Sequence, residues 1–147
     1  MYIQFLVAHE KIFAMQMTLI VTLVLHVLSG VFWAGTTFAL ARTGGNEADR
    51  FFRPQMGAAS VAVATGGVLW FFLHRGPLGT PGHLLAIGAL CALLAAGVQG
   101  AMGASARRNL SALSESEGLR RRVARSQRIA AGLLAITVTC MAAARYT

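Results

Sequence analysis

The stretch "LVLHVLSGVFWAGTTFALAR", Leu23 to Arg42, decides how the chain is read. It has no charge before its last residue, yet it holds a histidine and a tryptophan. Upstream the apolar run continues back to Ile12, which gives thirty uncharged residues, Ile12 to Ala41. About 18 to 20 apolar residues in helical form cross a hydrocarbon core of about 30 Å. Three further uncharged runs follow, Met56–Leu73, Leu84–Ala106 and Ile129–Ala144. None shows the polar face at helical spacing that a surface helix of a water-soluble bundle carries. Backbone groups in lipid must satisfy one another, so each run is expected to be helical. The expected fold is all-α: an integral membrane four-helix bundle in a single domain, with spans at about 17–41, 55–74, 83–105 and 128–145.

Composition agrees. Of 147 residues, 56% are hydrophobic and 12% charged, about half the charged share of a soluble domain. The net charge of +8 need not mean nucleic acid, because the arginines gather between the apolar runs. Loop one contributes Arg42, Arg50 and Arg53, and loop three contributes Arg107, Arg108, Arg120, Arg121, Arg122, Arg125 and Arg128. The other side has only Lys11, Arg75 and Arg145. Basic residues mark cytoplasmic loops. Loops 42–53 and 106–128 are therefore expected in the cytoplasm and both termini outside, in a bacterial plasma membrane. Membrane lipid is then the expected partner, with an electron-transfer partner or a second copy possible and nucleic acid excluded.

The opening "MYIQFLVAHEKIFAMQ" lacks the basic start and small-residue cleavage site of a signal peptide. It reads as an interfacial segment or as an extension of helix one. Pro54 is expected at the start of helix two, where its missing N–H is harmless. "HRGPLGTPGH" ends that helix with glycine and proline. Loop three reads either as a loop or as continuations of helices three and four, broken near Gly118.

Small residues recur at helical spacing: Ala58, Ala62 and Gly66; Gly97, Gly100 and Gly103; Ala131, Ala135, Thr139 and Ala143. Close backbone approach through small side chains is what packs helices in lipid, so these stripes are expected at helix contacts.

His26 is the candidate functional residue. It lies 15 residues from Lys11 and 16 from Arg42, roughly 23 Å from each, near the centre of its span. Thr22, Ser29, Gly30 and Trp33 share its face, with Thr18 and Thr37 beyond. A charge at that depth costs at least about 2.5 kcal/mol, so the imidazole is expected to be neutral. A neutral imidazole either hydrogen-bonds a neighbouring helix or ligates a metal. His74 and His83 lie near the opposite end of the bundle from the arginines and are the other metal-ligand candidates. Gln99, the one amide well inside a run, reads as interhelical glue or as a contact for a cofactor propionate. Cys91 has nearly the depth of His26, and Cys140 lies in another span; no disulfide framework is expected. The carboxylates Glu47, Asp49, Glu115 and Glu117 are loop residues, so no paired-carboxylate chemistry is expected.

"LHVLSGVFWAG", Leu25 to Gly35, resembles the L-H-x6-W-x-G pattern in the first helix of CopD-type copper-resistance membrane proteins. The His26, Trp33 and Arg42 spacing, "RFFRPQM" and "TGGVLW" also resemble the HemJ-type protoporphyrinogen oxidases. Those are small four-helix membrane proteins with a first-helix histidine implicated in haem b binding. The third helix departs from them: "GHLLAIGALCALLAAGVQGAMG" has no lysine, and Gln99 lies near the position of their second histidine. What the resemblance implies is haem b, or alternatively copper, held by His26, with Trp33, Thr22, Ser29, Gly30, Arg42 and Gln99 around the cofactor. A redox-linked haem protein, a copper-handling protein and a non-catalytic subunit are the three functions to weigh.

Overall fold

The computed structural model describes residues 2–44, 48–73, 79–110 and 117–147. It contains four helices: α1 Tyr2–Arg42, α2 Ala48–Leu73, α3 Thr80–Leu110 and α4 Glu117–Ala143. Each includes a segment long and apolar enough to cross a membrane: His9–Arg42, Arg50–Leu73, Thr80–Gly103 and Arg121–Ala143. The helices form a ring in which α1 packs on α2 and α4, and α3 packs on α4 and α2. The two hairpin contacts, α1 with α2 and α3 with α4, are the most extensive, and the α2/α3 seam is the thinnest.

Each helix begins before its expected span, and α4 ends two residues short of it, at Ala143. The N-terminal segment is a direct extension of α1, which has 41 residues. At about 1.5 Å per residue it is roughly 60 Å long, twice a hydrocarbon core. It stops where a C-terminal cap forms: Thr43 N–H bonds the Ala39 carbonyl at 3.0 Å, and Gly44 takes a left-handed φ of 68°. A residue with a Cβ is strained there, so "RTGG" is a stop signal with a mechanism. Pro54 stands inside α2 rather than at its start, because the helix already begins at Ala48. Its ring removes one ladder bond, to the Arg50 carbonyl, near the end of the helix where that loss is least costly. In α3, Thr80 and Pro81 open the helix, with Pro81 in the first turn. Gly118, where a break was expected, lies inside α4, in its first turn.

The core is small-sided. Trp33, Ala59, Ala62, Ala95, Ala130 and Leu134 form its buried apolar cluster. Of the expected small stripes, the one on α2 is at a contact: Ala62 is buried, and Gly66 lies against the His26 ring. On α3 the ring of Phe52 occupies the place of a Cβ on Gly103, and Met56 approaches Gly100, but Gly97 faces open space. The α4 stripe is corrected. Ala131 is buried as expected, but Ala135 and Thr139 are exposed, and the other buried residues of α4 are Ser126, Gln127, Ala130, Leu134 and Thr137. The reason is polar. Thr137 donates to the Gly88 carbonyl at 3.0 Å and Gln127 is bonded inside the bundle, and these two contacts fix the rotation of α4. At Gly88 a Cβ would stand 3.3 Å from the Thr137 carbonyl oxygen, so α3 and α4 touch backbone to backbone there.

Candidate functional site

Burial divides α1 and α2 along their length, while α3 and α4 stay buried against each other out to Gly88 and Thr137. Toward the arginine-rich end, α1 buries Trp33, Thr37 and Leu40, and α2 buries Gln55, Ala59 and Ala62. Beyond these, no described side chain of α1 before Trp33 is buried, nor any of α2 after Ala62. His26 stands just past this boundary, half-buried on the α1/α2 contact.

The buried half contains a knot of amides. Gln55, Gln99 and Gln127 come from α2, α3 and α4, and α1 adds Trp33 and Thr37. Thr37 and Gln55 are fully enclosed, at 0% exposure. The Trp33 indole N–H donates to Gln99 Oε1 at 2.7 Å. Gln99 Nε2 donates to Thr37 Oγ1 and to Gln127 Oε1, both at 3.0 Å. Gln55 Nε2 donates to Thr37 Oγ1 at 2.8 Å. Gln55 and Gln127 also exchange longer amide bonds, at 3.4 and 3.3 Å. The Thr37 hydroxyl gives its own proton to the Trp33 carbonyl at 2.7 Å. Each of the four helices thus contributes to one connected network, and Gln99 uses both amide hydrogens and its oxygen.

His26 is arranged differently. Its Nδ1 lies 2.9 Å from the Ala62 carbonyl oxygen and 3.2 Å from Thr65 Oγ1. The Thr65 hydroxyl proton already goes to the Val61 carbonyl at 2.6 Å. A lone pair on Nδ1 would face the Ala62 oxygen, so Nδ1 carries the proton and donates it. An imidazole with one proton then has its lone pair on Nε2, for which no hydrogen-bond partner occurs among the described residues. Gly66 supplies the notch for the ring, since a Cβ there would stand 3.0 Å from His26 Cε1. Gly30, one turn from His26, has open space where a Cβ would point.

The sequence-expected site residues fall into separate places. Trp33 and Gln99 meet each other, in the knot. Thr22 and Ser29 are half-buried, and their hydroxyls bond their own helix at the Thr18 and Leu25 carbonyls, 2.7 and 2.6 Å away. Arg42 is exposed at the end of α1, and His83 is exposed in the first turn of α3. His74 lies outside the described residues. Trp33 meets Gln99, so His26, seven residues earlier, is level with Ala92. His83 is nine residues from that level, about 14 Å along the axis, and the two histidines do not share a site. Cys91 does share the level, and both cysteines are free and half-buried. No group of three His, Cys, Asp or Glu side chains is gathered among the described residues.

Four participants were not singled out in the sequence: Gln55, Gln127, Thr65 and the Ala62 carbonyl. Gln55 and Gln127 each stand beside arginines at the edge of an apolar run, where an amide looks like part of a loop. One glutamine per helix in α2, α3 and α4 was the signal that could have found them. No protein-family model, curated protein or solved structure matches the chain.

Proposed function

We propose that this chain is a multi-pass protein of a bacterial plasma membrane, its arginine-rich end in the cytoplasm, that binds haem b with His26 as an axial ligand and serves a redox-linked role. The observation that carries this reading is the state of the imidazole. One nitrogen is pinned to a main-chain carbonyl and the other presents a lone pair with no hydrogen-bond partner among the described residues, on a half-buried side chain. Metal-bound histidines take this arrangement, with the second ring N–H donated to a carbonyl that fixes tautomer and ring angle. Gly30, one turn on, has no atom within 4 Å of where a Cβ would stand. Haem b held there supplies one-electron chemistry. The chain's own part is to orient Nε2 through Ala62 and Thr65 and to keep the ring in the Gly66 notch.

Trp33 and Gln99 are not part of this site, because their polar atoms are spent on each other and on the knot. The knot also favours a second reading, a non-catalytic subunit, since it closes the bundle without any ligand. Copper on the same Nε2 is the third. An absorption spectrum of the purified full chain from haem-replete cells separates them. The expected result is a Soret band, with an α band on reduction, that disappears in His26→Ala while circular dichroism stays helical. A colourless wild-type protein overturns the haem reading. Stoichiometric copper in that colourless protein supports the third reading, and absence of both supports the second.

A further inference from the structure

The arginines of α4 do more than mark a side of the membrane. The knot turns Gln127 into the bundle, and this fixes where the neighbouring residues point. At about 100° per residue, Arg121, Arg125 and Arg128 share a sector about 60° wide on the far side of α4 from Gln127, Ala130 and Leu134. All three are exposed. The stripe lies on the lateral flank of the bundle, within two turns of the knot. In a membrane that flank meets phospholipid headgroups side-on.

No acidic residue stands three or four positions from Arg125 or Arg128 on α4. The residues at those positions that are charged are arginines. Arg125 and Arg128 are neighbours at i,i+3, where like charges repel, so this pair is one that an outside anion stabilises. Arg122, the next residue of α4 after Arg121, is exposed as well, as are Arg42, Arg50 and Arg53 on α1 and α2. Arginine offers a planar fork matched to phosphate oxygens. Basic side chains between or beside membrane helices at the cytoplasmic level attract anionic headgroups.

We infer that the Arg125–Arg128 flank of α4 is a binding site for the headgroup phosphate of an anionic phospholipid of the surrounding bilayer. The inference rests on the membrane part of the proposed function and is independent of haem.

Native mass spectrometry of the full chain in detergent, with dioleoylphosphatidylglycerol or dioleoylphosphatidylcholine added, tests it. The wild type is expected to retain the anionic lipid at least about tenfold more than the zwitterionic one. Arg125→Gln with Arg128→Gln is expected to bring that ratio to within about twofold. Arg125→Lys with Arg128→Lys, which keeps the charge and loses the fork, should fall between. Equal retention of the two lipids by the wild type overturns the site, as does an undiminished preference in the glutamine pair. Should that pair fail to fold, the wild type decides alone: at about 0.5 M salt its preference must collapse if exposed arginines carry it, and a preference that survives unchanged overturns the assignment.

Discussion

Eleven residues, about 16 Å of helix, separate Thr37 from His26 along α1. At the Thr37 level, amides from three helices and the Trp33 indole satisfy one another inside a closed core. At the His26 level, one carbonyl and one hydroxyl hold one ring nitrogen, and the other has no hydrogen-bond partner among the described residues. Both places put polar atoms in an apolar bundle. A buried network with all members partnered makes the packing specific, whereas a half-partnered one leaves a group with capacity to bind. Under the proposed function, assembly belongs to the first region and ligand chemistry to the second.

The strongest way to break this contrast is to open the knot. Gln99→Leu removes the acceptor of the Trp33 indole, which is 2% exposed, and two donors besides. A buried donor left without a partner costs about 1–3 kcal/mol and each further lost bond about 1 kcal/mol, so about 3 kcal/mol in total is expected. Reversible unfolding of the detergent-solubilised chain by SDS or urea, followed by circular dichroism, measures it. A loss below about 1 kcal/mol would mean that the amides are not what holds the helices together. The Soret band of the surviving folded fraction should keep its position, because no knot residue reaches His26.

Gln55→Leu and Gln127→Leu are expected to cost less, about 1–2 kcal/mol each. Their mutual bonds are long, and Thr37 and Gln99 keep other partners. As members of one network they should not add: the double variant should fall short of the sum of the single losses by about 0.5–1 kcal/mol. Additive losses would show two separate contacts instead of a knot.

The two regions were unequally legible in the sequence. Four helices follow from runs of uncharged residues, because length and apolarity are one-dimensional properties. His26 stood out because a titratable group in such a run is costly. Trp33 and Gln99 were legible as polar residues, but not as each other's partners, 66 positions apart. Their meeting depends on α1 and α3 lying in one register, and no periodicity reveals that. On α4 the four-residue spacing holds only at Ala131: each step of four turns about 40° further round the helix, so Ala135 and Thr139 leave the face that Gln127 and Ala131 share. The Ala62 carbonyl was wholly invisible, since every residue carries one.

On the histidine side, Gly66→Ala is the sharper probe. A methyl group 3.0 Å from His26 Cε1 forces the ring to move by a few tenths of an ångström. Overpacking of this kind costs about 1 kcal/mol or somewhat more. Under the haem reading it should also shift the Soret maximum or weaken pigment retention, which no change in the knot does. A variant as stable as the wild type, with an unaltered spectrum, would show that the notch does not position the ring.

The smallest expected effect belongs to Thr65→Val. The Ala62 carbonyl, at 2.9 Å, is the nearer acceptor for His26 Nδ1–H, and the Thr65 oxygen, at 3.2 Å, takes a lesser share of the same hydrogen. Valine keeps the volume and removes that share, so a loss of about 0.5 kcal/mol or less is expected. If instead the Thr65 hydroxyl were the donor and Nδ1 the acceptor, valine would leave a lone pair facing a carbonyl oxygen, and the ring would have to turn over. Nitrogen-15 NMR of labelled histidine distinguishes the cases. In both wild type and variant, Nδ1 should carry the proton and Nε2 the lone pair whenever no ligand is bound. A protonated Nε2 in the wild type would take the lone pair away from the open side of the ring, and with it the reason to place any metal group there.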